Sequence, residues 1–398
     1  MRRFDVVILG AGPAGATTAL ALRKSHPHLS VVMIEACDFQ TIRPGEILSS
    51  DAVPIMQQLD VLNFFMEQNH PQVPIETAHC SSSAGAPDFP GGISNNGGWH
   101  LDRARFDGML AGYAAASGVS FIRATMTEAH FLADGSWQLV AQSSLTSHTL
   151  SAAFVVDATG RSARFATEIG VSQMAHDTLV GVVRVIGSEY AGQADYGTLI
   201  EPFEHGWWYS APTADRRLAV VAMTDADISK RLQLTHIAQW AEHLQASPLT
   251  RERVANLNIK GDLSVRAAHT RNLSNCFGKN WLAVGDAAAS VDPISSHGIL
   301  RALRFGIHAS DAIGGHFRRQ ESSLENYEAL VQAEFENNTN LCSETYRSES
   351  RWKNAPFWQR RQAAPSRWQE RKSPLPISNG TSLSGSNLAK YSVALRAQ

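Results

Sequence analysis

The hydrophobic pattern at the start of the chain predicts a β-α-β unit. Residues 4–9 form a short apolar, β-branched run that is typical of a buried parallel strand. Residues 16–24 are rich in alanine and leucine and predict a helix, and residues 29–35 predict a second buried strand. The unit spans about 30 residues, as expected for such a motif.

Further along, the pattern predicts a meander, then an antiparallel sheet, then a return to the first sheet. Residues 175–225 alternate apolar and polar positions, which favours an antiparallel sheet with one covered face. Residues 81–98 are rich in Gly, Ser, Pro and Asn and predict a loop. The other predicted strands are 119–122, 129–132, 137–141, 150–156 and 281–284, and the predicted helices are 101–116, 228–256, 299–316 and 324–348.

The length of the chain fits two joined domains, and its composition is that of an ordinary globular protein. The chain has 398 residues, of which 43% are hydrophobic and 18% charged. A net charge of −2 gives no indication of a nucleic-acid or membrane partner. No apolar run approaches the ~18 residues that span a bilayer. Asp5 interrupts the first apolar run, which argues against a signal peptide, so we expect a cytoplasmic protein. The four cysteines show no C-x-x-C spacing, which predicts free thiols and no metal site.

The C-terminal part of the chain differs in charge from the rest. From Arg347 onward there are ten Lys/Arg and two Asp/Glu, a net charge of +8, which leaves −10 for the preceding residues. After Ser350 the hydrophobic pattern ends, and Trp352, Trp358 and Trp368 stand among polar residues. We therefore expect a disordered basic tail over residues 351–398.

A glycine-rich turn between the first strand and helix predicts nucleotide binding. Gly10, Gly12 and Gly15 form G-x-G-x-x-G, where they allow a tight turn, a close approach of the backbone to a pyrophosphate and close helix–strand packing. The helix N-terminus adds N–H groups and partial positive charge for the phosphates. Glu35 ends the second strand, where its carboxylate can accept hydrogen bonds from ribose hydroxyls. The neighbouring residues predicted to contact the nucleotide are Ala14 and Ala36.

Two later segments distinguish FAD from NAD as the nucleotide. In the first, a strand ends in Asp157 and turns at Gly160. In the second, the strand at 281–284 runs into Gly285 and Asp286, followed by a turn that contains Pro293. An aspartate at that strand end can hold a ribityl hydroxyl.

These segments, in this order and spacing, resemble the FAD-dependent monooxygenases of the p-hydroxybenzoate hydroxylase type over about residues 1–345. Residues 99–107, 157–160 and 292–298 are more similar still to the tryptophan-halogenase-like branch. The resemblance implies an α/β fold with a Rossmann-type, glutathione-reductase-like FAD domain, an inserted antiparallel-sheet substrate domain and C-terminal helices.

The implied domain boundaries follow from that fold. The FAD domain is expected to be discontinuous, with residues 1–75, 98–165 and 270–320. The substrate domain is expected to comprise residues 76–97 and 166–269. Residues 321–350 are then a C-terminal helix, followed by the basic tail.

The resemblance also assigns roles to residues near the flavin. Arg103 or Arg105 is expected to contact FAD, with a solvated helix arginine as the alternative, and Arg43 lies in a segment that runs alongside the flavin. Glu46 follows in that segment, as a functional acid or as a helix N-terminal charge.

The late turn is expected to lie at the pyrimidine edge of the flavin. The helix that begins near Gly298 and Ile299 would stabilise the anionic reduced ring through its dipole. Pro293 would fix the turn beside the ring. His297 is a candidate acid or base, or else a residue that only orders the turn.

Aromatic residues on the substrate sheet predict a flat aromatic substrate. Trp207 and Trp208 are adjacent on a strand and must face opposite sides, so only one lines a given pocket. We predict Trp208 as the residue at the reaction site; the alternative is a core position in the sheet. An aromatic wall also excludes water from a reactive oxygen species.

The predicted reaction is hydroxylation of an aromatic substrate through a flavin hydroperoxide. Flavin halogenases place a lysine between flavin and substrate, whereas this chain has no lysine between Lys24 and Lys230. Similarity to hydroxylases of tryptophylquinone maturation makes a tryptophan of a partner protein one candidate substrate, beside an aromatic small molecule. The alternatives are a flavin dehydrogenase or reductase, a flavoprotein that only binds a precursor through its basic tail, and, disfavoured, a halogenase. The reductant is NAD(P)H or a reduced flavin from a partner reductase.

Overall fold

The computed structural model describes residues 1–40, 46–73, 78–79 (backbone only), 97–187 and 197–363. Arg43, most of the predicted loop at 81–98 and the tail beyond residue 363 lie outside the described residues.

The strands and helices are numbered in chain order. The strands are β1 (Arg2–Leu9), β2 (Val31–Glu35), β3 (Glu46–Ser49), β4 (Gln72–Val73), β5 (Ala78–His79), β6 (Gly98–Leu101), β7 (Ser120–Arg123), β8 (Thr125–Phe131), β9 (Trp137–Gln142), β10 (Ser147–Asp157), β11 (Gln173–Ala175), β12 (Leu179–Ile186), β13 (Thr198–Phe203), β14 (Gly206–Pro212), β15 (Leu218–Asp225), β16 (Ser264–Ala267), β17 (Arg271–Leu273), β18 (Phe277–Gly278), β19 (Trp281–Ala283) and β20 (Ala289–Ser290). The helices are α1 (Pro13–Ser25), α2 (Val53–Gln58), α3 (Leu62–Glu67), α4 (Arg103–Ala116), α5 (Arg164–Glu168), α6 (Ala226–Arg231), α7 (Ile237–Gln245), α8 (Pro248–Arg253), α9 (Gly298–Phe317), α10 (Ser323–Ser348) and α11 (Pro356–Gln362).

A parallel sheet forms the centre of the cofactor half. Strands β7, β2, β1, β10 and β19 lie side by side and all run parallel, and β18 pairs antiparallel with β19. Val6, Val7 and Ile8 are fully buried because both faces of the sheet are covered, as in doubly wound folds. Strands β8 and β9 continue from β10 as an antiparallel meander. The mixed α/β fold predicted from the sequence is confirmed.

Two long helices from opposite ends of the chain pack together. Gly306 of α9 lies directly against α1, since a Cβ there would come within 2.6 Å of Thr17 and 3.0 Å of the Ala14 carbonyl oxygen. This close packing places the N-terminus of each helix at the same end of the sheet, where the site is built.

A second sheet forms the substrate half. Strands β16, β12, β15, β14, β13 and β5 are neighbours in that order, and all pairs except β13–β5 are antiparallel. The alternating pattern of residues 175–225 therefore predicted its core correctly. The helix predicted over 228–256 is instead three short helices, α6 to α8. Pro248 separates α7 from α8, because proline can begin a helix but cannot continue one.

The predicted tail begins later than the hydrophobic pattern indicated. Residues 356–362 form α11, whose Phe357 and Trp358 are fully buried. The Trp358 indole N–H donates to the Phe203 carbonyl at 2.9 Å. Disorder from residue 351 was therefore wrong for this stretch: its few apolar residues fill a pocket beside the second sheet, which composition cannot show. Among the residues that the structure describes, no helix is long and apolar enough to cross a membrane.

Candidate active site

A large cavity lies between the carboxyl ends of the parallel strands and the second sheet. Its volume is about 920 Å³, near the upper end of the range for ligand sites. Of the predicted site residues, those that line it are Gly10, Gly12, Ala14, Glu35, Ala36, Glu46, Arg103, Gly160, Asp286, Pro293, Gly298 and Ile299. We call its parallel-sheet side the cofactor wall and its second-sheet side the substrate wall.

In the glycine-rich turn, one glycine has open space beside it, whereas protein atoms occupy the space beside the two others. A Cβ at Gly10 would lie 2.3 Å from the Ala158 carbonyl oxygen, and one at Gly15 only 2.0 Å from the Gly10 oxygen. A Cβ at Gly12 would meet no atom within 4 Å. Gly12 is also the N-cap of α1 and has no side chain with which to cap it. The backbone at Gly12 is therefore open to a phosphate, while Gly15 serves packing.

Glu35 is held in a fixed orientation at the end of β2. Its two carboxylate oxygens accept hydrogen bonds of 2.7 Å from the backbone N–H groups of Ala11 and Cys37. Each oxygen retains a further lone pair, and Glu35 lines the cavity. The carboxylate can thus accept ribose hydroxyls, as the sequence predicted.

The N-terminus of α9 forms the opposite end of the cofactor wall. Gly298 and Ile299 line the cavity together with Pro293 from the preceding turn. A Cβ at Gly298 would also meet no atom within 4 Å. Two helix N-termini, those of α1 and α9, therefore place partial positive charge at one cavity.

Asp286 bridges the cofactor wall through two arginines. It accepts from Arg301 at 2.9 Å and lies 3.6 Å from Arg161. Arg161 also donates to the His269 carbonyl at 2.9 Å, across to the segment that follows β16. Asp286 is about one-third exposed toward the cavity and is available to a polar ligand group.

Two residues predicted to bind the cofactor are structural instead. Asp157 is fully buried and does not line the cavity. One of its oxygens accepts from Thr159, through the N–H at 3.0 Å and the hydroxyl at 2.6 Å, and the other from the Ala166 N–H at 2.9 Å. Gly285 packs against α1, where a Cβ would lie 2.7 Å from that of Ala14. Local hydrogen bonds therefore occupy the Asp157 carboxylate, and helix α1 fills the space beside Gly285.

The two arginines of α4 have different environments. Arg103 lines the cavity and is buried, with bonds of 2.9 Å to both carboxylate oxygens of Asp107 and an ion pair to Glu46. Arg105 has a side chain that is 60% exposed and donates to the Gln68 carbonyl. Arg105 is therefore the solvated helix arginine, and its predicted contact with the cofactor is wrong.

Glu46 faces the cavity from the first position of β3, which pairs with β6. Its predicted alternative, a charge at a helix N-terminus, is wrong because the residue lies within a strand. Through Arg103 it belongs to a buried cluster of one cation and two carboxylates. Burial raises the pKa of the Tyr209 phenol on the substrate wall, and the negative charge of Glu46 raises it further.

His297 does not line the cavity. It is the N-cap of α9, and the charged groups that influence it are Glu334, Asp51 and Arg304. Burial lowers the pKa of the imidazole. The geometry supports the predicted alternative, a residue that orders the turn, and gives no support to an acid or base role at the cavity.

Strand register decides which tryptophan faces the cavity. Trp207 lies opposite Met223, and both line the cavity with Tyr209 two residues further along β14. Trp208 points to the other face, where its ring lies 5.1 Å from Trp240 of α7. The prediction of Trp208 at the cavity is therefore wrong, and its neighbour Trp207 lines the cavity instead.

The central part of the substrate wall consists of alternate residues from three strands. They are Gly181 and Val183 of β12, Trp207 and Tyr209 of β14, and Val221 and Met223 of β15. Cross-strand pairing aligns them in two rows. These six residues form an apolar and aromatic surface with one hydroxyl, that of Tyr209, which suits a flat aromatic substrate.

Sequence reasoning missed several residues at the site. Arg266 from β16 and Arg164 from α5 line the cavity and are exposed. Tyr346 lies behind the substrate wall and donates to Asp292. Nothing in their local patterns distinguishes these residues from ordinary surface or core positions.

The comparisons with known proteins identify the family. The family model for tryptophan halogenase matches residues 5–78 and 92–373. The chain belongs to the tryptophan halogenase family. LodB of Marinomonas mediterranea, named as an FAD-dependent oxidoreductase, is 28% identical over 367 residues, which are 91% of this chain and 98% of LodB.

The names of further relatives and structural neighbours give different reactions. The 1H-pyrrole-2-carbonyl-(peptidyl-carrier protein) chlorinase of Pseudomonas fluorescens is 25% identical over 368 residues, 83% of this chain and 80% of the chlorinase. The structure of the peptidyl tryptophan dihydroxylase QhpG shares the fold with a TM-score of 0.71 at 22% identity, over 95% of this chain and 82% of QhpG. The chain is thus an FAD-dependent enzyme of a family that includes halogenases and has hydroxylases among its structural neighbours.

The residues present fit the FAD that this family uses. The open backbone at Gly12 and the acceptor Glu35 suit the pyrophosphate and the adenosine ribose, and Asp286 suits a ribityl hydroxyl. The α9 N-terminus would lie against the ring. When bound, FAD would supply the redox chemistry, and the residues named above would position it beside the apolar substrate wall.

Proposed function

We propose that this enzyme hydroxylates an aromatic substrate with oxygen activated by reduced FAD. The observation that carries the proposal is the composition of the cavity. Its described lining contains arginines but no lysine, and the sequence has none between Lys24 and Lys230. Flavin halogenases need a lysine between flavin and substrate to capture hypohalous acid, so oxygen transfer is the reaction that this cavity supports.

The proposed substrate is an aromatic ring, with a tryptophan of a partner protein as the leading candidate. The apolar wall around Trp207 and Tyr209 accepts a flat ring, and the hydroxyl of Tyr209 offers one polar contact. QhpG, named as a peptidyl tryptophan dihydroxylase, has the same fold over most of this chain. The proposed reductant is NAD(P)H or a reduced flavin supplied by a partner reductase.

Halogenation is the second candidate. The names of the relatives support it better than they support hydroxylation, since one of them is a chlorinase at 25% identity. A halogenase of this kind would have to hold hypohalous acid without the family's lysine. Reduction or desaturation without oxygen insertion is the third candidate.

One experiment separates the three candidates. The FAD-loaded enzyme receives a reductant, ¹⁸O₂ and bromide. The substrates are free tryptophan, indole and a tryptophan-containing protein encoded by a neighbouring gene. The reaction products are analysed by mass spectrometry. Hydroxylation predicts incorporation of one or two ¹⁸O atoms and no bromine. A brominated product would contradict the proposal, as would a change in hydrogen count alone.

The control is the Gly12→Val variant, in which the new side chain fills the space at the phosphate site. At FAD concentrations that saturate only the wild type, it should give far less product of any kind. Product formed equally by this variant would show that free reduced flavin, and not the enzyme, performs the chemistry.

A further inference from the structure

A chain of buried hydrogen bonds runs behind the cavity. The Trp207 indole N–H donates to the Tyr346 hydroxyl at 3.1 Å, and that hydroxyl donates to Asp292 Oδ2 at 2.7 Å. The three residues are 1%, 2% and 4% exposed. Loss of the central hydroxyl would leave a buried N–H group and a buried carboxylate each without this partner.

The two ends of this chain belong to opposite sides of the cavity. Trp207 is part of the substrate wall, whereas Asp292 directly precedes Pro293 on the cofactor wall. Asp292 Oδ1 accepts from the Ile294 N–H at 3.0 Å and so caps the turn over Pro293–Ser295. The Tyr346 hydroxyl is thus the bridge between the wall that meets the substrate and the turn that meets the cofactor.

The C-terminal helix α11 holds Tyr346 in place. The Arg361 guanidinium lies 5.3 Å from the centre of the Tyr346 ring and 3.8 Å from that of Phe357. The same guanidinium donates to Asp225 Oδ1 at 2.7 Å, and Asp225 is 2% exposed. Gln362 donates to the Tyr346 carbonyl at 2.9 Å. Arg361 therefore contacts the ring of Tyr346, and Gln362 holds its backbone.

We propose that Tyr346 is a positioning residue whose hydroxyl fixes the spacing between Trp207 and the turn at Pro293, and thereby holds the substrate ring at the flavin edge. A single hydroxyl that donates to one wall and accepts from the other transmits any displacement between them. The spacing of the walls is independent of the reaction. Only its consequence for oxygen transfer rests on the proposed function.

The test uses the full chain with the substitution Tyr346→Phe, which keeps the ring and removes both hydrogen bonds. The FAD dissociation constant should rise up to about 10-fold, because the turn at Pro293 that meets the cofactor is no longer held in place before FAD binds. Bound flavin should become more accessible to iodide quenching. The share of consumed oxygen released as hydrogen peroxide should rise, with KM for the substrate more affected than kcat.

The matched control is Tyr327→Phe on the same helix. Tyr327 is also 2% exposed, and its hydroxyl donates to the Ala283 carbonyl at 2.9 Å, within the cofactor half. Its dissociation constant for FAD should change less than about 2-fold, since this bond does not join the walls. Equal changes in the two variants would overturn the proposal.

Trp207→Phe provides a second route if Tyr346→Phe does not fold. It removes the Trp207–Tyr346 hydrogen bond and leaves the Tyr346–Asp292 bond. Iodide quenching of bound flavin should therefore also rise, but by a smaller factor. No change in quenching would overturn the proposal. If flavin affinity and quenching respond as expected while no variant or wild type oxygenates any substrate, the proposed function fails and the positioning role stands.

Discussion

The cofactor wall and the substrate wall of the cavity are built in different ways. The cofactor wall comes from short contiguous segments at strand ends, such as Gly10–Gly15 and the turn before α9. The substrate wall takes alternate residues from β12, β14 and β15 and depends on their register. A phosphate needs backbone geometry, which a few glycines define locally, whereas a flat ring needs a surface that only paired strands provide.

Arg103→Met, at the cofactor wall, should have the largest effect on the free energy of unfolding. It leaves Asp107, whose side chain is 6% exposed, without its cation. Removing one partner of a buried pair costs about 3–5 kcal/mol, so the free energy of unfolding measured in urea should fall by about that amount.

Arg105→Met is the control for Arg103→Met, because its side chain is 60% exposed. It should change the free energy of unfolding by less than about 0.5 kcal/mol. Similar losses in both variants would contradict the different environments of the two arginines.

Asp292→Asn tests the residue that joins the two walls, by its effect on how the free energy of unfolding depends on pH. Burial raises the pKa of Asp292 to about 6, although Arg361 lowers it, and Asp177 raises it further. The Asp292 carboxyl is ordinarily near 3.9 in an unfolded chain. The folded state then binds the proton more tightly, so its free energy of unfolding falls as pH rises from about 4 to 6.

The variant lacks this titration. Its free energy of unfolding relative to wild type should therefore increase by up to about 3 kcal/mol between pH 4 and 7, at about 1.4 kcal/mol per pKa unit. Denaturation curves at several pH values measure this difference. A difference that stays constant with pH would show that Asp292 titrates as an ordinary carboxyl.

Gly12→Val tests whether the cofactor wall binds a phosphate. The fold should tolerate it because a Cβ at Gly12 meets no protein atom within 4 Å. FAD affinity measured by fluorescence titration should nevertheless fall about 100-fold, or about 2.7 kcal/mol. The control is Gly112→Val, at an exposed helix position where a Cβ also meets nothing within 4 Å; it should bind FAD as wild type does.

Phenylalanine at Trp207 or at Trp208 tests the substrate wall with the smallest expected effect. Each variant should lose about 1–2 kcal/mol of unfolding free energy, because each removes part of a buried ring. Only Trp207→Phe should change the fluorescence of bound flavin, because Trp207 lines the cavity and Trp208 packs on Trp240. A flavin signal that responds to Trp208→Phe instead would reverse the assignment of the two faces.

Much of the fold was predictable from local pattern. The first β-α-β unit, the alternating strands and the late helix appear where apolar periodicity placed them, with ends that differ by a few residues. Boundaries were less certain where packing overrides pattern: α11 forms because Phe357 and Trp358 enter a pocket that the rest of the fold creates.

By itself, the sequence determined the nucleotide-binding turn and Glu35, because a strand, three glycines and a helix start act within a few residues of one another. Tertiary structure alone decided that Arg103 is buried while Arg105 is solvated, and that Trp207 meets the cavity while Trp208 does not. It alone brought Tyr346 to Asp292 and Trp207, which are 54 and 139 residues away in the chain. Burial and orientation of these side chains depend on how distant strands and helices pack, so the neighbouring residues in the sequence do not predict them.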